Sequence, residues 1–333
     1  MIDITVLFLE GGYISTAINA VEVFRSAGVF WNLLNGDEPS AYFNVRTASL
    51  NGRAVVPDGP MAITPQYSLD EIEHTDLIFV PASGVDLEMM VSGYDIDAVL
   101  SRNAGVVPWI KDQAEKGAQI AAVCSGTALV AKAGLLDGKR GTMHWAFADI
   151  YARKFPKVDW QPDYLVTDST GIYCGGGINS AADLSLYLVE KFCGREVAVG
   201  CAKSLLLEMP RTWQMAFALL DMNMKHDDEV IHRAQAFIHD QAVKSFRFED
   251  VAVSFGMSPR NFNRRFKDAT GDTPVAYLQK LRIAKAKRLL ETGRASIQKI
   301  ALEVGYEDLI FFRSLFKRLT GLTPGEYRRR FGV

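Results

Sequence analysis

The sequence predicts two fold classes within one chain of 333 residues: an α/β domain with a parallel sheet flanked by helices, followed by an all-α domain. Three observations support this prediction. Over residues 1–200, short apolar runs alternate with segments of helical periodicity, which is typical of a parallel sheet covered on both faces. The last third of the chain contains a repeated helical unit. The two parts also carry opposite net charges.

The elements of the α/β part follow in order along the chain. Strand-like apolar runs occupy residues 4–9, 44–48, 76–80 and 119–123. Helical patterns occupy residues 20–27, 109–116, 127–133 and 180–192. Because ligands of parallel α/β sheets bind at the carboxyl ends of the strands, the residues that follow the strand-like runs are the candidate site.

The net charge of −2 conceals two different parts. Residues 1–224 contain 16 Lys and Arg against 26 Asp and Glu, a balance of −10. Residues 225–333 contain 21 against 13, a balance of +8. Because clustered Lys and Arg side chains release counterions when they meet phosphates, the C-terminal part is the one predicted to bind nucleic acid.

Cysteine usage and hydropathy exclude several classes of protein. The four cysteines form no CxxC pair, and the histidines show no metal-ligand spacing, so we expect neither a disulfide framework nor a metal or other cofactor. No apolar stretch approaches the roughly 18 residues needed to span a bilayer. We therefore expect a cytoplasmic protein without a membrane partner.

The helical unit of the C-terminal part occurs twice, at about residues 248–270 and 297–320. Gly256 recurs 49 residues later as Gly305, whereas Phe262 recurs 50 residues later as Phe312. The second copy therefore has one extra residue in its turn. Further pairs at a separation of 50 are Phe266 and Phe316, Lys267 and Lys317, and Tyr277 and Tyr327.

Each copy is predicted to be a helix-turn-helix. In the first copy Gly256 suits the end of a helix, and Ser258 suits the N-cap of a second helix that begins at Pro259. Phenylalanines four residues apart define its inner face. Its other faces carry Arg260, Asn261, Asn263, Arg264, Arg265 and Lys267. Because Arg pairs with guanine and Asn with adenine, this helix is predicted to enter a major groove.

A long helix is predicted between the copies, over residues 275–291. Leu278, Leu281, Ala284 and Leu289 form its expected core face. Its cations are expected outside that face, and they are Lys285, Lys287 and Arg288.

Residues 248–331 resemble the tandem helix-turn-helix domain of the AraC/XylS family of transcription regulators. The most specific stretch is IALEVGYEDLIFFRSLFKRLTGLTPGEYRRRF, at residues 300–331. The resemblance places Arg260, Asn263 and Arg264 at base-reading positions. The second copy departs from the family pattern, because Ser314 replaces a common Arg, with Arg313 beside it. Because the second unit has Leu309, Ile310 and Phe311 at the start of this stretch, we infer that the first unit carries most of the sequence readout and that the second contributes mainly backbone and thymine-methyl contacts.

The strand-like run 119–123 leads directly into Cys124, Ser125 and a helical pattern. A strand, a sharp turn that bears a nucleophile and a helix N-terminus form a nucleophile elbow. Helix-terminal amides lower the pKa of a thiol, so we expect a reactive or ligand-binding Cys124. His144 follows twenty residues later as a candidate partner.

The stretch CSGTALVAKAGLLDGKRGTMHW, from Cys124 to Trp145, resembles the PfpI-like branch of the class I glutamine amidotransferase-like superfamily. The resemblance extends over most of the N-terminal part and implies a flavodoxin-like sheet. Joined to the C-terminal domain, it is similar to the GlxA group of AraC-type regulators.

Two departures from active members of this superfamily favour a ligand pocket over an enzyme. Active members need a base beside the thiol, yet Ser125 follows Cys124 where some relatives have His. Thr16 aligns with a glutamate that many relatives have near the cysteine. The alternative interpretation is a Cys124-dependent hydrolase or amidase fused to a DNA-binding domain. The expected ligand-binding residues are Cys124, Ser125, Thr16, Glu22, Ser83 and His144.

The resemblance implies a small-molecule effector of the amino-acid or quaternary-amine class. Aromatic side chains that could form a cage for a cation are Trp31, Trp145, Tyr13 and Phe24. Within the N-terminal domain, a triple-glycine segment precedes the helical pattern that carries Asp183, which is expected to be a cap, a core partner or a pocket residue.

The sequence thus predicts a ligand-controlled transcription regulator with a sensing domain at 1–208, a linker at 209–227 and a DNA-binding domain at 228–333. The run 215–220 of the linker is compatible with a helix. The expected partners are double-stranded DNA, a small-molecule effector and a second copy of the chain, with RNA polymerase as a further candidate. The expected DNA-binding residues are Arg260, Asn261, Asn263, Arg264, Arg313 and Lys317.

Overall fold

The computed structural model describes residues 1–209, 211, 213–218, 226–244 and 246–332. Residue contacts divide the chain into two units, Met1–Gln214 and Met215–Val333. Much of the predicted linker, namely Pro210, Thr212 and residues 219–225, lies outside the described residues.

A mostly parallel sheet forms the centre of the first unit. Its strands are β1 (Ile2–Leu7), β2 (Phe43–Ser49), β3 (Tyr67–Ser68), β4 (Leu77–Val80), β5 (Gln119–Val123), β8 (Val166–Ser169) and β9 (Ile172–Gly175). The two intervening strands, β6 (Arg140–Gly141) and β7 (Asp159–Trp160), pair with each other in a separate short sheet. Within the described residues the order is β3-β2-β1-β4-β5-β9-β8. All neighbours are parallel except the edge hairpin of β8 and β9. The prediction of an α/β fold with a parallel sheet is confirmed.

Helices cover both faces of this sheet. They are α1 (Ser15–Ser26), α2 (Phe30–Asn35), α3 (Leu87–Ser92), α4 (Ile96–Arg102), α5 (Val107–Glu115), α6 (Gly126–Lys132), α7 (Ala148–Lys154), α8 (Ser180–Cys193) and α9 (Arg195–Ser204). Alternate residues of the central strands divide between two buried clusters: Ile78 and Ile120 belong to one, Phe79 and Ala121 to the other. This alternation places an apolar core on each face.

The second unit is helical in its described residues. Its helices are α10 (Glu229–Asp240), α11 (Phe248–Ser254), α12 (Pro259–Thr270), α13 (Pro274–Thr292), α14 (Ile297–Glu303), α15 (Leu309–Thr320) and α16 (Pro324–Phe331). Helices α11 and α12 form the first helix-turn-helix unit, α14 and α15 form the second, and α13 joins them. None of the helices in the described parts is long and apolar enough to cross a membrane.

The two helix-turn-helix units share one packing scheme. In the first, the rings of Phe266 and Tyr277 have centroids 5.3 Å apart and an interplanar angle of 78°. In the second, Phe316 and Tyr327 have values of 5.5 Å and 80°. The extra residue of the second copy lies in the turn, because four residues separate α11 from α12 and five separate α14 from α15.

Lys287 corrects one expectation about α13, because it lies inside the unit and not on its surface. Its side chain is only 6% exposed, and Nζ donates to the backbone oxygens of Met215, at 3.2 Å, and Ala218. Burial lowers the pKa of Lys287 to about 8. Residues 215–217, part of the run 215–220 that is compatible with a helix by sequence, form a turn that covers this part of α13. Helical periodicity alone could not reveal a covering segment 70 residues away.

Candidate functional site

Cys124 occupies a sharp turn at the carboxyl end of the central strand β5. Its φ of +53° is in the left-handed region, which a side chain adopts at a cost of about 1–3 kcal/mol. The Cys124 N–H donates to the carbonyl of Gly175 on β9 at 2.8 Å. The strand, strained turn and following helix α6 have the elbow geometry predicted from the sequence.

Two hydroxyl groups hold the loop after β4 against this turn. Ser125 Oγ accepts from the backbone N–H of Ser83 and donates to the Ser83 carbonyl, both at 2.9 Å. On the other side, Thr16 Oγ1 donates to the Tyr13 carbonyl at 2.7 Å and accepts from the Ala82 N–H at 3.1 Å. Thr16, Ser83 and Ser125 are all buried. The structure therefore brings these three predicted residues together, with Thr16 and Ser125 positioning the loop.

Two glycines allow the backbone segments around the Cys124 turn to approach each other closely. A Cβ at Gly126, the first residue of α6, would lie 2.3 Å from the Pro81 carbonyl oxygen. Gly12, with φ +77°, would place a Cβ 2.3 Å from the Ala82 oxygen. These glycines let the loops after β1, β4 and β5 meet at one point.

The Ser83 side chain is exceptional among these groups. Its Oγ is buried and has no hydrogen-bond partner within the described residues. Because a buried hydroxyl without a partner is uncommon and costs free energy, this atom is a candidate contact for a bound molecule.

The Cys124 thiol is not activated by its position at the N-terminus of α6. Burial raises the pKa of Cys124 to about 11, and the Ser125 backbone N–H, which acts in the opposite direction, does not compensate. The thiol is therefore protonated at neutral pH. The sequence left open a reactive or a ligand-binding Cys124, and the raised pKa argues against a reactive thiol because desolvation outweighs the helix-terminal amides.

His144 makes its hydrogen bond within its own turn and not with Cys124 in the part of the chain that the structure describes. Its Nδ1 accepts from the Ala146 N–H at 3.2 Å, and burial lowers its pKa, so the imidazole is neutral at pH 7. Its ring packs beside Trp145 and Phe147, with centroids 5.3 and 5.6 Å away. Within the described residues, no hydrogen bond joins His144 to Cys124.

Three tyrosines lie near enough to the Cys124 thiol to interact with it electrostatically. Burial is the main cause of the raised pKa values of Tyr13, Tyr94 and Tyr151, and the nearby Cys124 adds to each. The hydroxyls of Tyr94 and Tyr151 are 3.0 Å apart, and Phe147 stacks on Tyr94 at 4.0 Å. Sequence reasoning missed Tyr94 and Tyr151, since no local pattern relates them to Cys124.

The other aromatic candidates have different environments. Phe24 belongs to the core, where its centroid lies 5.1 Å from that of Phe43. Trp31 packs against Gly200, and the Lys203 ammonium lies 5.1 Å from its ring centroid.

The two predicted acidic residues also lie apart from this cluster. Glu22 is exposed on α1, away from the buried face that carries Thr16. Asp183 is buried and accepts two side-chain hydrogen bonds from Arg211, at 3.1 and 2.6 Å, so it is a structural partner. The described residues contain no group of His, Cys, Asp and Glu that could hold a metal ion.

In the second unit, helix α12 presents polar side chains to solvent. Arg260, Asn261, Asn263 and Arg264 are all exposed, and Arg264 donates to the Asn261 side-chain oxygen at 3.2 Å. Arg265 differs, because it makes a bidentate ion pair at 2.6 and 2.9 Å with Asp228, the N-cap residue of α10. The four exposed groups form one hydrogen-bonding face.

Helix α15 presents a different surface. Arg313 and Lys317 are exposed, but the first turn of the helix exposes Ile310 and Phe311. The predicted cations are therefore accessible in both units, while the first turn of α15 is apolar.

An α/β domain with an elbow turn at Cys124, joined to two helix-turn-helix units that expose Arg and Asn, defines a DNA-binding transcription regulator. Comparison with known proteins agrees with this class. A model described as "DJ-1/PfpI family" matches residues 13–191, and one described as "Helix-turn-helix domain" matches residues 251–330.

Two similar proteins carry regulator names. The HTH-type transcriptional regulator GbdR of Pseudomonas aeruginosa is 26% identical over 328 residues, covering 97% of this chain and 83% of GbdR. The HTH-type transcriptional regulator GlxA of Rhizobium meliloti is 28% identical over 221 residues, covering 65% of this chain and 67% of GlxA. A crystal structure of an AraC family transcriptional regulator from Pseudomonas putida is 21% identical, with a TM-score of 0.49, and covers 62% of this chain and 100% of that one.

The chain belongs to the DJ-1/PfpI family and carries an AraC-type helix-turn-helix domain at its C-terminal end. The predicted resemblance to AraC-type regulators that include GlxA is confirmed.

Proposed function

We propose that a small metabolite bound beside Cys124, an amino acid or a quaternary amine, controls the DNA binding of this regulator. The observation that carries the proposal is the unpartnered, buried hydroxyl of Ser83 at the junction where three strand-end loops meet. Ser125 and Thr16 fix the backbone on both sides of that hydroxyl. A preorganised polar atom at the carboxyl end of a parallel sheet suits recognition of a small ligand.

The protonated thiol favours ligand binding over hydrolysis. A cysteine nucleophile needs its thiolate and an adjacent base. Here burial keeps Cys124 neutral, and His144 is hydrogen-bonded within its own turn. Cys124 is therefore proposed as a wall of the pocket, with His144 at its aromatic side.

The tyrosine rings near Cys124 favour a cationic or amine ligand. Phenol faces attract ammonium groups, by about 0.5–2 kcal/mol for each favourable contact. Asp58 is close enough to Tyr13 to raise its pKa, so a carboxylate lies on that side of the cluster. Glu22 is exposed on α1 and is not included in the proposed pocket.

The proposed organisation follows the predicted one: sensing by residues 1–208, a connection over 209–227 and DNA binding by 228–333. A ligand changes DNA affinity only if it binds two arrangements of the protein unequally. We propose that a cytoplasmic homodimer is the acting form and that RNA polymerase is a further partner. Base and backbone contacts are proposed for Arg260, Asn261, Asn263, Arg264, Arg313 and Lys317.

Thermal unfolding of the full-length chain with amino acids, amines and betaines tests the ligand proposal. A ligand at 100 times its Kd adds about 2.7 kcal/mol to the free energy of unfolding. The Ser83→Ala variant keeps the backbone bonds to Ser125 and should bind that ligand about three- to tenfold more weakly, the equivalent of one hydrogen bond.

Ser185→Ala is the matched control, because Ser185 Oγ on α8 is also buried without a partner in the described residues. It should leave ligand affinity unchanged. The proposal fails if no compound stabilises the protein or if both variants weaken binding equally. Enzyme-like amide turnover that disappears in Cys124→Ala would instead support the hydrolase alternative.

A further inference from the structure

The first turn of α15 exposes two large apolar side chains. Ile310 is 81% exposed and Phe311 is 44% exposed. At the equivalent positions of α12, 50 residues earlier, the chain has Arg260 and Asn261. The two second helices therefore differ most at the end that a helix-turn-helix inserts into DNA.

These apolar side chains are held in place. Asp308 caps the helix by accepting from the backbone N–H groups of Ile310, at 2.8 Å, and Phe311, at 3.0 Å. The centroid of the Phe311 ring lies 5.8 Å from that of Tyr306, and the Arg282 guanidinium lies 5.1 Å from the Tyr306 ring centroid. The patch is a defined surface on a fixed backbone.

The patch is continuous with a cationic surface. Arg313, Lys317 and Arg318 are exposed further along the same helix. Lys317 is the repeat counterpart of Lys267 on α12. Lysine and arginine side chains beside the patch suit phosphates, so the surroundings favour DNA over an apolar protein partner.

We propose that the second helix-turn-helix unit reads thymine through its 5-methyl group, with Ile310 and Phe311 as the contacting residues. The thymine methyl is the apolar group that base pairs present in the major groove. Neither side chain can donate or accept a hydrogen bond, whereas both can cover a methyl group. The inference deepens the DNA-binding part of the proposed function, on which it rests.

Replacing thymine by deoxyuridine removes this methyl group and keeps the base-pairing edge. A preferred duplex is first selected from random sequences with the full-length chain. Each thymine is then replaced in turn, and Kd is measured by fluorescence anisotropy. At one or more positions under the second unit, we expect about fourfold weaker binding per lost methyl, the equivalent of about 0.8 kcal/mol.

The Ile310→Ala variant should bind the thymine duplex more weakly and no longer distinguish thymine from deoxyuridine at that position. Because Ile310 is almost fully exposed, the substitution leaves the core intact, and Phe311→Ala provides an independent second test. Leu302→Ala is the matched control, since Leu302 is 56% exposed but lies on α14, the first helix of the same unit. It should retain full discrimination.

Equal affinity for thymine and deoxyuridine duplexes at every position would overturn the proposal. So would retained discrimination in both the Ile310 and Phe311 variants. Unchanged DNA affinity in those variants would assign the patch to a protein partner such as RNA polymerase. Failure of the unmodified chain to bind any duplex would refute DNA binding itself, a different result from binding that ignores the methyl groups.

Discussion

The two helix-turn-helix units have nearly the same interior and different exteriors. Phe262 and Phe266 in the first, and Phe312 and Phe316 in the second, are completely buried. Helices α12 and α15 both end at a left-handed glycine, with φ +80° and +79°. On the exposed side, the Asn261–Arg264 pair of the first unit is replaced by Phe311 and Ser314. The repeat preserves packing and varies the groups that can touch DNA.

The units also differ in what covers them. In the first, Tyr277 packs under α10, where His239 Nε2 lies 2.9 Å from the tyrosine hydroxyl. In the second, Tyr327 donates to Glu291, and the Lys287 ammonium lies 5.5 Å from its ring centroid. Residues 215–218 cover that side of the second unit. Part of the predicted linker is therefore hydrogen-bonded to the second helix-turn-helix unit.

The largest expected effect tests the equivalence of the interiors. Phe262→Ala and Phe312→Ala should each lower the free energy of unfolding of the second structural unit by about 3–5 kcal/mol, because each leaves a cavity in a filled core. Urea unfolding followed by circular dichroism measures both losses. Val253→Ala, at an exposed position on α11, should stay within about 0.5 kcal/mol of the unmodified chain. If only one of the two substitutions lowered the free energy of unfolding by this much, the two interiors would not be equivalent.

A smaller effect separates the two units through their helix caps. Asp228→Ala removes the cap of α10 and also the ion pair with Arg265, whereas Asp308→Ala removes only the cap of α15. A cap is worth about 1 kcal/mol, so Asp228→Ala should cost at least that, and more than Asp308→Ala. Thermal unfolding measures the difference. Equal losses would show that the Asp228–Arg265 pair adds nothing.

The Asp228 pair also predicts a pH dependence. Arg265 is the main cause of the lowered pKa of Asp228 in the folded protein. The carboxylate therefore stabilises the fold above the ordinary pKa of an aspartate, near 4, and this stabilisation is lost as the pH falls below that value. The stability gap between the unmodified chain and Asp228→Ala should narrow on acidification, and a gap that widens would contradict the pairing.

The smallest effect concerns Lys287 and the anchored segment. Because burial lowers its pKa to about 8, the unfolded chain binds more protons than the folded one between about pH 8 and 10.5. Over that window the Lys287 contribution becomes more favourable as the pH rises. Comparing the unfolding of the unmodified chain with that of Lys287→Met at pH 7 and pH 9.5 isolates this change, since other titrating groups are shared. If the difference in unfolding free energy between the two proteins were the same at both pH values, the Lys287 ammonium would be hydrated and not buried.

The features predictable from sequence were those encoded locally. Apolar periodicity located β1, β2, β4 and β5, and cap residues such as Ser258 located the start of α12. The edge hairpin of β8 and β9 was missed because the run Val166–Ser169 is short and polar. It acquires its strand structure by pairing with β9.

The candidate site was predictable only in part, because its chemistry depends on tertiary contacts. The elbow at Cys124 follows from a strand and a helix that adjoin in sequence. The raised pKa of its thiol follows from burial, which depends on tertiary packing and not on the adjoining sequence. The sequence likewise could not predict that the Ser83 hydroxyl lacks a hydrogen-bond partner, because this depends on the bonds by which Ser125 and Thr16 hold its loop.

Affinity of the Arg264→Ala variant for the selected duplex and for its base-substituted forms is the most direct test of unequal readout by the two units. We expect a loss of about 1–3 kcal/mol and relaxed specificity at one base pair, because an Arg contact to a base edge is removed. Ser314→Ala, at the equivalent position of the second unit, should change affinity by less than about 0.5 kcal/mol. Unchanged affinity in Arg264→Ala, or an equal loss in Ser314→Ala, would contradict the assignment of polar base readout to the first unit.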